Sequence, residues 1–299
     1  MSKTTPVLIL LCLLLAVGVI ATTKQLRASS DVPSLPDLAK NIKFGLAQAM
    51  PNTDDRRFRA VSAILWDTKE HKILFQQNAF ERRPLASITK LMTAMVAIDY
   101  GIKWEQPANI QPNEYGVGGQ LQLFSGETVS MKDLVNASLV GSANNATLAY
   151  VRQLGISKDD FITAMNRKAV SLGLEQTEFQ DVTGLEVGNV SNAYEIARLA
   201  EEAFTAYPEI SEITSQKEYS FVVSGSGREH TIRNTDKLVS ENNLEVTGSK
   251  TGFLYETQYC LVIKGSGKYA DRVAVVLGSP SEEENFADVA RLLTMDVAP

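Results

Sequence analysis

Ser87 and Lys90 stand three residues apart in Ser87-Ile-Thr-Lys90, at the polar start of an apolar run that reaches Tyr100. On a helix this spacing puts hydroxyl and amine on one face. A serine hydroxyl is a weak nucleophile by itself, and a lysine in a dry site, near other cationic or dipolar groups, can lose its proton near neutrality and activate it. The pair therefore offers a nucleophile and its base for acyl transfer. Composition alone yields roughly one Ser-x-x-Lys in a chain of this size, so the pair needs support from elsewhere.

Two distant segments supply it. Gly141-Ser142-Ala143-Asn144-Asn145 falls between two helical patterns and adds a hydroxyl and a carboxamide. Lys250-Thr251-Gly252 ends a β-like run and adds a second ammonium, with a glycine that lets a ligand approach the strand edge. Ser142-Ala-Asn144 is the weaker motif, because Ser240-Glu-Asn242 fits the same template and a Ser or Asn at a helix start is more often a cap. Lys250-Thr-Gly is stronger, since a fixed tripeptide arises by chance in roughly one chain in ten or twenty of this length. The order and wide spacing of all three make the case.

The elements that must position these groups follow from periodicity. The apolar run from Pro84 to Tyr100 predicts a helix stopped by Gly101. Before it, 59–67 and 71–76 predict a β-hairpin. After it, Ser130-Met-Lys-Asp133 is a capping signal for a helix to about Leu139, and helices are expected over 144–153, 158–171 and 192–206. Beyond Pro208 the pattern reverts to β, at 218–223, 244–249, 258–263 and 272–277, the last two joined by a hairpin at Lys264-Gly-Ser-Gly-Lys268. A closing helix is expected over 282–295. Strands at both ends with helices between predict an α/β (α+β) fold: one antiparallel sheet from both chain ends, flanked by helices, with an inserted all-α lobe. A cleft between sheet and lobe would collect the polar residues.

Lys3, an uncharged apolar run from Pro6 to Ala21, then Lys24 and Arg27 have the layout of a secretory signal or short membrane anchor over 1–27. Residues 28–57 read as a linker rich in Ser, Pro, Asp and Asn with one helical stretch over 38–50, and 58–299 as the folded domain. With 44% hydrophobic and 21% charged residues, the 299-residue chain is globular in composition. Its net charge of -6, with no sustained Lys/Arg cluster, argues against a nucleic-acid partner. Cys12 lies in the apolar run and Cys260 on an expected strand, so no intramolecular disulfide is predicted. His71 and His230 lack partners at ligand spacing, so neither a metal nor a cofactor is expected.

The three motifs resemble those of the penicillin-binding, serine-type D-alanyl-D-alanine carboxypeptidases, relatives of the serine β-lactamases. Wider phrases carry the same resemblance, from about Arg59 to Val297: Leu85-Ala-Ser-Ile-Thr-Lys-Leu-Met-Thr-Ala94, Asp181-Val-Thr-Gly-Leu185, Arg233-Asn-Thr235 and Val246-Thr-Gly-Ser-Lys-Thr-Gly252. It implies a β-lactamase/transpeptidase-like fold in which Ser87 attacks the penultimate D-alanine carbonyl, Lys90 is the base, and Ser142 relays a proton to the leaving D-alanine. Asn144 would hydrogen-bond the peptide, and Lys250 with Thr251 would hold its carboxylate. The backbone N–H groups of Ser87 and of Phe253, just past Gly252, would meet the oxyanion. Two close ammoniums, Lys90 and Lys250, would each make the other easier to deprotonate.

The implied partners are a peptidoglycan stem peptide and, as covalent inhibitors, β-lactam antibiotics; the implied place is the cell envelope, with membrane contact only through the N-terminal segment. Three alternatives stand beside this reading: a D,D-endopeptidase on cross-links, a serine β-lactamase, and a non-catalytic peptidoglycan-binding module. A β-lactamase of class A type needs a Glu-x-x-Leu-Asn that neither Glu178-Phe-Gln-Asp-Val182 nor Glu241-Asn-Asn-Leu244-Glu245 supplies. A binding module would not need the Ser/Lys pair. Two positions depart from the family's pattern and bear on substrate preference: Tyr194, where many relatives have Arg or Lys, and Leu254, where many have Thr or Ser.

Overall fold

Ser62–Asp67 (β1) is buried on both faces, with Ala63, Ile64 and Leu65 inaccessible to solvent, as befits a strand inside a sheet and not at its edge. Lys72–Gln77 (β2) folds back on it antiparallel, the expected hairpin. The computed structural model describes residues 58–241 and 244–296, which lie in one unit, Asn52–Pro299. The signal or anchor, the linker, its helical stretch and Cys12 lie outside the described residues.

Helices follow at Thr89–Asp99 (α1), Met131–Leu139 (α2), Asn144–Gln153 (α3), Lys158–Ser171 (α4), Ala193–Thr205 (α5) and Pro208–Ser215 (α6). Then come strands Glu218–Val222 (β3), Glu229–Arg233 (β4), Val246–Leu254 (β5), Gln258–Gly265 (β6) and Arg272–Ser279 (β7), and a last helix Glu282–Thr294 (α7). Five strands form one antiparallel sheet in the order β2-β1-β7-β6-β5, closed where β1 pairs with β7 from Ser62↔Leu277 to Asp67↔Arg272. Both chain ends therefore build it, and β5 is an edge.

Alternation assigns the two faces of the sheet. Ala63, Leu65, Leu261, Ile263, Ala274 and Val276 meet Phe286, Val289, Leu292 and Leu293 of α7, burial that contributes about 1.5–3 kcal/mol per large side chain. On the other face α5 covers β1, β6 and β7; the Trp66 indole donates to Glu201 at 2.7 Å and meets Tyr194 edge-on at 5.6 Å. Helix α1 is buried all round from Thr89 to Ala97, as a central helix must be. The predicted cap of α2 is present: Asp133 N–H donates to Ser130 Oγ at 3.1 Å and Ser130 N–H to Asp133 Oδ2 at 2.8 Å.

Four expectations need correction. Pro208 opens α6 instead of a β region, because proline's missing N–H goes unneeded in a helix's first turn. β3 pairs with β4, which the alternating but polar Glu229-His-Thr-Ile-Arg233 did not announce, in a half-exposed ribbon apart from the main sheet. The strand expected to stop at Ser249 runs on through Lys250, Thr251 and Gly252 to Leu254, since β6 pairs it across Thr251↔Leu261 and Leu254↔Gln258. The opening helix begins as a 3₁₀ turn, Ala86–Ile88, after Arg83–Pro84 pairs with Val190–Ser191. Among the described residues no helix is long and apolar enough to cross a membrane.

Candidate active site

Ser87 sits in the 3₁₀ turn leading into α1, and its neighbours force that turn into shape. Ala86 adopts φ +47, a left-handed conformation that is uncommon for a residue with a side chain. Two glycines from remote segments press against it. A Cβ on Gly184, itself at φ +92, would fall 1.9 Å from Ala86 O, and one on Gly252 would fall 2.9 Å from Leu85 O and 3.2 Å from Ser87 N. Only bare backbone fits at either place.

Lys90 follows on α1 and is fully buried. Its Nζ donates to Ser87 Oγ at 2.8 Å, to Asn144 Oδ1 at 2.7 Å and to Thr183 O at 2.7 Å. Burial is the main force holding its ammonium well below the usual lysine range; the charge of Lys250 adds to it and Asp181 opposes it. Asn144, at the start of α3, gives its other amide end to Val117 O at 2.8 Å, so both ends of its carboxamide hold protein groups. Ser142, at φ +57 just before α3, accepts a hydrogen bond from Lys250 Nζ at 3.1 Å.

Lys250 is 1% exposed and also reaches Thr251 O at 3.1 Å. Burial lowers its ammonium to about 7 against the opposing charge of Asp236. The Thr251 hydroxyl lies 2.6 Å from that of Thr235. Ser87, Ser142, Asn144, Thr235, Thr251, Gly252 and Phe253 line one cleft of about 530 Å³, with both lysines behind its wall. All eight residues singled out in the sequence thus meet at this place.

Several contributors carried no role in the sequence reading. Thr183 acts through its carbonyl, and any residue has one. What fixes it is Asp181, whose carboxylate accepts N–H donors from Thr183 at 2.8 Å and Gly184 at 3.0 Å, and Asn189 Nδ2 at 2.8 Å. Asn189 Nδ2 reaches Thr89 Oγ1 at 3.0 Å, tying this loop to α1. Thr235, at the end of Arg233-Asn-Thr235, contributes its hydroxyl beside that of Thr251. Glu178 is exposed and pairs with Arg82, and neither it nor Glu241 lines the cleft. Tyr194 is committed to packing on Trp66 and Phe80, away from the cleft, whereas Leu254 lines it. Among the described residues no group of three or more His, Cys, Asp or Glu could hold a metal ion.

A profile of the D-alanyl-D-alanine carboxypeptidases, peptidase family S11, matches residues 48–281. The chain belongs to this family. Among D-alanyl-D-alanine carboxypeptidase relatives, DacF of Bacillus subtilis is 32% identical over 255 residues, which are 81% of this chain and 63% of DacF. The D-alanyl-D-alanine endopeptidase of Escherichia coli is 32% identical over 237 residues, 78% of this chain and 76% of that one. In structure the chain is similar to penicillin-binding protein D2 of Listeria monocytogenes in its ampicillin-bound form: TM-score 0.70, 26% identity, covering 82% of this chain and 98% of that one. The family's β-lactamase-like fold is the sheet and helical lobe described above.

Proposed function

We propose that the protein is a serine D-alanyl-D-alanine carboxypeptidase of the cell envelope, exported through its N-terminal segment, which trims the terminal D-alanine from peptidoglycan stem peptides. The observation that carries this reading is the hydrogen-bond count at Lys90. A neutral amine has two N–H groups and one lone pair. With Asn144 Oδ1 and Thr183 O holding two N–H groups, loss of the third proton reverses the contact that the ammonium donates to Ser87 Oγ at 2.8 Å, so that the lone pair accepts from the hydroxyl. Burial favours that neutral form.

Ser87 Oγ attacks the penultimate D-alanine carbonyl as its proton passes to Lys90, and the oxyanion meets the N–H groups of Ser87 and Phe253. The C–N bond then breaks. The leaving D-alanine amine takes a proton from the Ser142 hydroxyl, which Lys250 resupplies across 3.1 Å. Thr251 and Thr235 hydroxyls bind the substrate carboxylate, with the Lys250 charge just behind them. Lys90 then gives up the proton it took from Ser87, and Lys250 regains one, by way of solvent. The neutral Lys90 accepts a proton from the water that attacks the ester and hands it to Ser87 Oγ as the ester C–O bond breaks. Asn144 positions Lys90 in this scheme, and β-lactams stop it by acylating Ser87.

Fluorescent penicillin should label the protein covalently and fail to label Ser87→Ala; an unlabelled wild type overturns the proposal. A second reading, cleavage of cross-links, is favoured by the endopeptidase relative, which matches at the same identity as DacF and over a larger share of its own length. Mass spectrometry of a pentapeptide and of a cross-linked dimer after digestion separates the two. Residues 28–299 alone should stay in solution, and detergent partitioning of that fragment would contradict an N-terminal anchor.

A further inference from the structure

Ser142 holds a conformation that glycine usually takes. Its φ of +57 lies in the left-handed region, which costs free energy for a residue with a side chain. Its hydroxyl nevertheless stays 3.1 Å from Lys250 Nζ, so the surrounding structure must hold the turn in place. Backbone does so on one side: Ala143 N–H reaches back to Ala137 O at 3.0 Å, and Asn144 N–H donates to Gly119 O at 2.7 Å. The chain before Ser142, at Val140 and Gly141, is held from the β3–β4 ribbon.

That ribbon is anchored at both ends of α2. The Tyr219 hydroxyl of β3 donates to Asp133 Oδ1 at 2.7 Å, in the first turn of the helix. Thr235 N–H, just past β4, donates to Val140 O at 3.0 Å, beyond the last turn. Alternation along β4 turns Ile232 inward, opposite Tyr219, and leaves Thr231 and Arg233 exposed. The Ile232 Cγ2 methyl fills the place that a side chain at position 141 would need: a Cβ on Gly141 would fall 2.5 Å from it and 3.2 Å from Ala137 O. Gly141 lines the cleft and Ile232 does not, so the methyl presses on the turn from behind. A β-branched side chain is stiff at χ1, which leaves that methyl little freedom to yield.

We propose that Ile232 is a positioning residue for the proton relay: it clamps Gly141 from the β3–β4 ribbon and so keeps the Ser142 hydroxyl between Lys250 and the leaving nitrogen. The half-exposed ribbon then serves the reaction as well as the fold. This rests on the peptidase reading above, in which Ser142 protonates the departing D-alanine.

An amine leaves only with a proton, whereas a thiolate leaves without one. The test therefore compares Nα,Nε-diacetyl-L-Lys-D-Ala-D-Ala with the thiolester whose terminal unit is D-thiolactate, by kcat/KM for release of the leaving group. The two donors share acyl group, methyl and carboxylate. Ile232→Ala should lower the amide-to-thiolester ratio about tenfold, a part of the roughly hundred- to ten-thousandfold that a placed general acid contributes. Ile232→Val keeps both γ-carbons and should restore the ratio. Each ratio is read within one preparation, so a loss of folded protein cancels, as does a weaker grip on the carboxylate if Thr235 shifts. Equal losses on the two donors, an unchanged ratio, or a ratio as low in Ile232→Val as in Ile232→Ala overturns the inference and leaves the peptidase reading intact. A wild type that cleaves neither donor overturns the peptidase reading and the inference with it.

Discussion

In the proposed mechanism two buried lysines have opposite duties, and these set the pH behaviour expected of the site. On that proposal Lys90 is neutral, to accept the Ser87 proton, and Lys250 is charged, to draw in the substrate carboxylate. Activity therefore rises as Lys90 deprotonates and falls as Lys250 does, and kcat/KM reports both in the free enzyme. The alkaline limb expected on this proposal follows Lys250, whose ammonium burial lowers to about 7. Asp236 is the lever on that limb. It is fully buried, accepts the Leu238 N–H at 2.9 Å, and its charge favours the Lys250 ammonium. Removing the charge makes that ammonium easier to lose. Asp236→Asn should shift the alkaline limb of kcat/KM toward lower pH by about one unit, with the acid limb displaced less. A limb that stays in place in a full pH profile would show that Asp236 serves the fold alone.

At the scale of elements, the proposed catalysis depends on how closely β5 lies against the turn that carries Ser87. The glycine of Lys250-Thr-Gly makes this possible, because a Cβ at position 252 would meet Leu85 O at 2.9 Å and the Ala86 side chain at 3.2 Å. Gly252→Ala should wedge strand from turn. The expected loss of stability is about 1–3 kcal/mol. Acylation by penicillin should fall about a hundredfold, since a displacement near 1 Å misaligns the nucleophile. Urea unfolding and the labelling rate read the two effects separately, and acylation at the wild-type rate would refute the wedge. The sequence suggested that this glycine lets a ligand approach the strand edge; the neighbour it admits in the structure is the Ser87 turn. The strand expected over 244–249 runs on to Leu254, because pairing with β6 outweighs the low strand propensity of one glycine. Pro208 misled in a similar way: a helix start and a helix break share that residue.

Across the whole molecule, Ser87, Ser142 and Lys250 meet because a sheet made from both chain ends holds its edge strand against a lobe made from the middle. That plan was legible in the apolar runs, whose periodicity changes from two to about 3.6 and back again. What stayed hidden acts through backbone or through surface: the Thr183 carbonyl has no side-chain signature, and the polar β4 ribbon buries too little to show a pattern. The plan also makes the site hostage to distant packing. Helix α7 seals the sheet face opposite α5, and Leu292 lies fully buried there, well past the residues of α7 that line the cleft. Leu292→Ala should cost about 2–5 kcal/mol, the transfer of the lost atoms plus the cavity they leave. The acylation rate per folded molecule should hold, because the turn, α1 and β5 keep their mutual contacts. A lower urea midpoint with an unchanged labelling rate is the expected pair of results; a slower rate at full folding would show that α7 also tunes the geometry at Ser87.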